Sequence, residues 1–146
     1  MSCTFGTAVS STQCSVPSTQ RKSARSDDMA QHFKDLVVWQ KAMDMVTEIY
    51  KLTDTFPKHE VYSLTNQIRR AAVSVPSNIA EGQAHYSRRE FRHFLRHSAG
   101  SLAELETQLL LAERLGYADH PSTDGLLQRV HEVGRILNGL ITSLPE

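Results

Sequence analysis

The chain has 146 residues, 40% of them hydrophobic and 22% charged, with sixteen basic side chains balanced by sixteen acidic ones. That length fits one domain with a core large enough to need no covalent staples. No run approaches the roughly 18 apolar residues of a membrane span, and zero net charge argues against a generic nucleic-acid coat.

Charge and cysteines are unevenly placed. Residues 69 to 97 hold six arginines against Glu81 and Glu90, a balance of +4; residues 98 to 146 hold seven acids against three arginines, a balance of −4. Both cysteines, Cys3 and Cys14, fall before any periodic segment, and a cysteine-free core suits a reducing compartment.

Residues 1 to 26 carry eleven Ser or Thr, three basic residues and no acid, with neither an apolar period nor a signal-peptide core. This composition predicts a disordered tail over 1–31, or an over-extended start with Met29 as the true first residue. An acid-free, Ser-rich leader with Arg21 and Arg25 also loosely resembles an organelle transit peptide. The domain is expected over 32–146.

From there the apolar period is helical. The first helix is expected at about 34–53, with Trp39, Ala42, Val46 and Ile49 as its stripe and Phe56-Pro57 as its stop. The second is expected at about 60–81, with Val61, Leu64, Ile68, Ala71, Val75 and Ile79 inward and Gly82 as the residue after its end. Pro76 lies inside that stripe, so the helix either kinks or breaks there; the stripe keeps phase through Ile79, which favours the kink. Ser74 and Asn78 beside it suit structural bonds to a perturbed backbone better than catalysis. Ser87 and Glu90 form a capping box that opens the third helix. Its seam of Phe91, Leu95, Ser98, Leu102, Leu105 and Leu109 is spaced 4-3-4-3-4, and Gly116 closes it. The fourth starts after Pro121, at Ser122 or Thr123, and carries Leu126, Val130, Val133, Leu137, Leu140 and Leu144. Four amphipathic helices on short loops, with no strand pattern, predict an all-α fold: an antiparallel up-and-down four-helix bundle with its second helix kinked at Pro76.

The third helix is apolar on more than its seam. Ala99, Gly100, Ala103, Leu110, Leu111 and Leu115 point elsewhere, and a helix apolar on two sides needs two partners. A subunit interface, and hence a homo-oligomer, is the reading favoured over a wide stripe inside a monomer.

The strongest chemical signal is an arginine arc. With Phe91 as the zero direction and 100° per residue, Arg88, Arg92, Arg96 and Arg89 point to about 60, 100, 140 and 160°, and His93 and His97 continue the arc. Arg69 and Arg70 on the preceding helix are candidates to join it. Guanidinium forks suit phosphate, and Tyr86 offers a stacking surface for an unpaired base. The competing reading is a solvated face, or ion pairs with a neighbouring subunit or a protein partner. Glu90-x-x-His93 matches half of a di-iron bundle motif, but no second copy exists and three arginines crowd it. There is no Gly-rich phosphate loop, no His-Glu-x-x-His and no nucleophile elbow; His131-Glu132 lacks a second histidine. No catalytic residue, metal or cofactor is read from this sequence.

Several strings, in order, resemble the bacterial four-helix-bundle family of 23S rRNA intervening-sequence proteins. They are Phe33-Lys-Asp-Leu-Val-Val-Trp-Gln-Lys-Ala42, Gln67-Ile-Arg-Arg-Ala-Ala-Val-Ser-Val-Pro-Ser-Asn-Ile-Ala-Glu-Gly82, Ser101-Leu-Ala-Glu-Leu-Glu-Thr-Gln108 with Leu115-Gly116-Tyr117, and, less distinctively, Val133-Gly-Arg-Ile-Leu-Asn-Gly-Leu140. The resemblance spans about residues 33–144. It implies a cytoplasmic bacterial protein that assembles as a homopentameric ring, from a family with no established enzymatic activity. It also implies distant kinship with the accessory variability determinant of diversity-generating retroelements, a basic pentamer that binds nucleic acid and a reverse transcriptase. Arg69, Arg70 and the positions around Arg88 to Arg96 fall where that family's basic residues lie, while the Ser/Thr-rich tail and neutral charge depart from the retroelement protein. Two functions follow as expectations: a ring that binds structured RNA or DNA through its arginines, or a protein-interaction scaffold whose arginines pair with neighbouring subunits or a protein partner.

Overall fold

The computed structural model of the chain describes Gly6, residues 32–85 and residues 87–145. The expected Ser/Thr-rich tail and Tyr86 therefore lie outside the described residues. Four helices form: α1 (Val37–Thr53), α2 (Leu64–Ala84), α3 (Arg88–Arg114) and α4 (His120–Ser143). Short 3-10 turns at Phe33–Asp35 and Lys58–Glu60 precede α1 and α2, and no strand occurs among the described residues. Each helix packs on its two neighbours around the circuit α1–α2–α3–α4, with α2–α3 the most extensive pair. Cross-helix bonds between Arg69 and Asp54, Ser98 and Val75, Glu106 and His131, and Lys41 and Glu132 all fit antiparallel neighbours.

The helix ends follow local chemistry. Ser63 stands before α2 but makes no side-chain cap; instead the Glu60 carboxylate accepts a bond from the Leu64 N–H at 3.2 Å. Ser87 caps α3 as expected, accepting from the Glu90 N–H at 3.4 Å. At the other end Gly116 takes φ +75°, so its N–H bonds the Glu113 carbonyl while the Tyr117 N–H reaches the Ala112 carbonyl. That paired closure needs a left-handed residue, which glycine supplies without steric cost. Asp119 caps α4 by accepting from the Ser122 N–H at 2.8 Å. Pro121 consequently sits in the first turn rather than before it, where its missing N–H costs nothing.

α2 does not break at Pro76; it is one helix from Leu64 to Ala84 with that proline buried inside it. Ser74 Oγ donates to the Ala71 carbonyl and Asn78 Nδ2 to the Ser74 carbonyl, so both polar side chains are engaged with local backbone. Gly82 is not a helix end. It lies inside α2, buried, where an added Cβ would stand 2.7 Å from Phe94 Cβ and 3.0 Å from Phe91 Cδ2. α2 and α3 pass so close there that only a residue without a side chain fits.

The core stripe of α3 is the expected one, extended by Ala112. In α1 the expected stripe holds at Ala42 and Ile49 and shifts by one residue at its other two positions. Val38, Ala42, Met45 and Ile49 are buried, while Trp39 and Val46 are only half-covered. The shift arises because α1 carries a second apolar stripe next to the first: Trp39, Met43, Val46 and Tyr50, again spaced 4-3-4. In α2, Val61 precedes the helix and is exposed; Ile68, Ala71, Val75 and Ile79 are inward as expected. Leu126, Val130, Val133 and Leu137 of α4 complete the core, with Leu140 and Leu144 partly covered. Each fully buried Leu or Ile here contributes on the order of 1.5–3 kcal/mol.

Candidate nucleic-acid interface

The start of α3 is set by Ser87, and everything about the arginine arc follows from that cap. Arg88 and Arg89 occupy the first turn, Arg92 the second and Arg96 the third. Arg88, Arg89 and Arg96 are exposed and Arg92 is half-buried. The first turn of a helix is the positive end of its dipole, so two cations there add to the backbone's own field rather than oppose it. Rows of like charge four apart, such as Arg88, Arg92 and Arg96, also repel by a few tenths of a kcal/mol per pair. Arg89 and Arg96 make no ion pair among the described residues. The one carboxylate of this stretch, Glu90, lies 3.7 Å from His85 Nδ1.

An aromatic edge runs beside the arc. His85 stacks on Phe94 with ring centres 5.1 Å apart and planes 12° from parallel. His93 and His97 are joined Nε2 to Nε2 at 3.0 Å, and both rings approach Phe94. Sequence inspection singled out Tyr86 for stacking and missed Phe94. The signal for Phe94 was Gly82, whose lack of a side chain lets Phe94 lie against α2.

Arg69 and Arg70 are not brought to this arc. Ser98 Oγ donates to the Val75 carbonyl at 3.0 Å, and Gly82 faces Phe91 and Phe94. In that antiparallel register Arg70 is level with Ala103, two turns or about 10 Å beyond Arg96. Ala99 and Ala103, which continue the line of Arg92 and Arg96, turn toward Gly134 and Asn138 of α4 and away from α2. Arg69 has a structural task. Its Nε donates to Thr53 Oγ1 at 2.8 Å, its Nη2 meets Asp54 Oδ1 at 2.6 Å, and its guanidinium lies 4.6 Å over the Tyr50 ring. It ties α2 to the end of α1. Arg70 is exposed and makes no ion pair among the described residues.

Elsewhere the charges serve cohesion. Lys41 reaches Glu132 at 2.9 Å and Arg129 reaches Glu48 at 2.6 Å, both across the α1–α4 edge. Lys41 beside Glu132 holds that carboxyl below its ordinary range. At the far end of the bundle from the arc, the Glu60 carboxylate accepts bonds from Ser63 Oγ, the Leu64 N–H and, at 3.0 Å, the Tyr117 hydroxyl. These bonds lower the Glu60 carboxyl, Ser63 foremost, and the Glu60 contact raises the Tyr117 phenol. Among the described residues no three His, Cys, Asp or Glu side chains converge to hold a metal, and no helix is long and apolar enough to cross a membrane.

The profile of the 23S rRNA-intervening sequence proteins matches residues 34–139. The fold is similar to the crystal structure of a protein of unknown function of the S23 ribosomal protein family from Bacteroides thetaiotaomicron, with a TM-score of 0.69 and 23% identity over 73% of this chain and 100% of that one. No curated protein matches the chain.

Proposed function

The chain belongs to the family of 23S rRNA-intervening sequence proteins, and from that premise we propose that it is a non-enzymatic, ring-forming bundle that binds structured RNA or DNA through the start of α3. The observation that carries this reading is the concentration of Arg88, Arg89, Arg92 and Arg96 on the first three turns of one helix, two of them on the positive end of its dipole. Arg89 and Arg96 make no ion pair among the described residues, and a polyphosphate accepts guanidinium forks and releases counterions as it binds. The His85–Phe94 edge beside the arc supplies a flat surface for an unpaired base. The expected kinship with the retroelement accessory protein supports the same reading, and makes a five-membered cytoplasmic ring and a reverse transcriptase partner its natural extensions. Arg69 and Arg70 drop to a secondary role, Arg69 because Asp54 already holds it.

The test is fluorescence anisotropy of a labelled RNA hairpin across a salt series. Wild type should bind with an affinity that falls steeply with salt, each neutralised phosphate adding roughly 0.7–0.9 to the log–log slope. Changing all four arginines of the arc to Gln should flatten that slope while leaving helix content and assembly intact. The scaffold reading has one observation in its favour, the engagement of Arg69 by Asp54 and Thr53, which shows that arginines in this chain do serve packing. It forecasts the reverse: a loosened oligomer in the quadruple variant, and no salt-sensitive RNA binding by either protein.

A further inference from the structure

The outer faces of α1 and α2 form a groove that nothing in the described chain fills. Its α1 wall is the second stripe of Trp39, Met43, Val46 and Tyr50, and its α2 wall carries Val73 and Ala80. Two adjoining pockets, of about 470 and 300 Å³, meet at Val73. The half nearer Phe33 is apolar. The other half ends at Arg69 and Arg70, of which Arg70 has no ion-pair partner among the described residues. Two antiparallel helices that each present apolar positions at heptad spacing make a seat for a third helix about three turns long.

We propose that the occupant is α3 of a second copy of this chain, entering by its outer ridge of Glu104, Thr107, Leu111 and Leu115. Leu111 is 46% exposed and Leu115 50%, although both sit at the end of a well-packed helix. Glu104 precedes Leu111 by two turns, about 10 Å, and Arg70 precedes Ser77 on the groove wall by the same distance. Set Glu104 against Arg70 with the incoming helix running along α2, and the two leucines come over the apolar half. Each feature alone is unpartnered; one contact satisfies both. The segment before His32 is a poorer occupant, because its sequence holds no apolar period. Ridge and groove are different surfaces of the same chain, so the contact is heterologous and propagates until it closes. The proposal rests on the ring reading above and supplies its interface.

A mixing experiment tests it. Val73→Glu spoils the groove and leaves the ridge; Leu111→Glu spoils the ridge and leaves the groove. Sedimentation should find each variant monomeric alone, with wild-type helix content, at a concentration where wild type is assembled. Mixed in equal amounts they should form a species of two chains and stop, since each pair keeps one intact ridge and one intact groove. The charge exchange Arg70→Glu with Glu104→Arg should assemble better than either single change. Assembly of either variant alone like wild type overturns this interface while leaving the ring reading standing. A mixture that stays monomeric despite native helix content also overturns it. A wild type that is itself monomeric at tens of micromolar ends the ring reading and the interface together.

Discussion

The α1–α4 edge and the start of α3 treat charge in opposite ways. Across the edge two cations are met by carboxylates from the facing helix: Lys41 by Glu132, Arg129 by Glu48. Over the first three turns of α3, four arginines stand with one glutamate, against the helix dipole and in rows of like charge. Both regions are solvent-facing and both are helical, so neither burial nor secondary structure accounts for the difference. What differs is the balance. At the edge two cations meet two facing carboxylates. At the arc positive charge outnumbers negative, Arg89 and Arg96 make no ion pair among the described residues, and an external polyanion would neutralise the surplus.

That contrast can be broken in measurable steps. The largest effect is expected in binding. The four-fold Arg to Gln change in the arc should lower the log–log salt slope of RNA affinity by roughly 3 and leave helix content and assembly intact. A fall in thermal midpoint with an unchanged slope would mean that the arc serves the fold after all. Next in size is Gly82→Ala, which touches no charge but disturbs the register that places the arc. Its Cβ would collide with the first carbon of Phe94, which cannot swing aside without moving α3. A loss of roughly 1–3 kcal/mol is expected from denaturant unfolding; full wild-type stability would show that the helices are not this close.

Smaller effects sharpen the edge. A double-mutant cycle on Glu48→Ala and Arg129→Ala should return a favourable coupling of about 0.2–1 kcal/mol. Arg89→Ala and Arg96→Ala, singly, should return no loss, within about 0.5 kcal/mol. The subtlest expectation concerns pH. Glu60 is held below its ordinary value in the folded chain, so its stabilisation is present above the unfolded value, about 4.3, and is lost as pH falls through the folded one. Tyr117 is raised, so its share is present below about pH 10 and lost as pH rises past that through its folded value. In Glu60→Gln both limbs of the profile of thermal midpoint against pH should flatten together. Flattening of the acid limb alone would show that the phenol is not coupled to this carboxylate.

The fold was legible wherever one apolar stripe dominated a helix. α3 gave its core positions directly because Leu and Phe recur at 4-3-4 spacing with polar residues between them. α1 gave Ala42 and Ile49 correctly but misled by one residue at Trp39 and Val46, because two apolar stripes run side by side and sequence alone cannot say which faces its own core and which faces outward. Gly82 was read as a terminator because a glycine after a helical stripe usually is one; the close pass of Phe94 that requires it comes from the next helix. Asp119 was overlooked as a cap because Pro121 drew the boundary two residues late. The arc itself was readable, being local to one helix. The separation of Arg69 from it was not, since Thr53, Asp54 and Tyr50 stand fifteen to nineteen positions earlier and only the α1–α2 packing brings them near.

The Glu60–Tyr117 bond has a consequence in time rather than in space. Most contacts in an up-and-down bundle are short-range in sequence, and such contacts form fast. The α2–α3 pair is the most extensive and can assemble as a hairpin through the short turn between Ala84 and Arg88. Glu60 and Tyr117, 57 residues apart, stand at the open end of that hairpin, so they meet only when it has closed along its whole length. The hydroxyl of Tyr117 thus marks the last step of that closure. In Tyr117→Phe the helices should gather at the usual rate but release one another sooner, read as an unchanged folding arm and a faster unfolding arm in stopped-flow ellipticity.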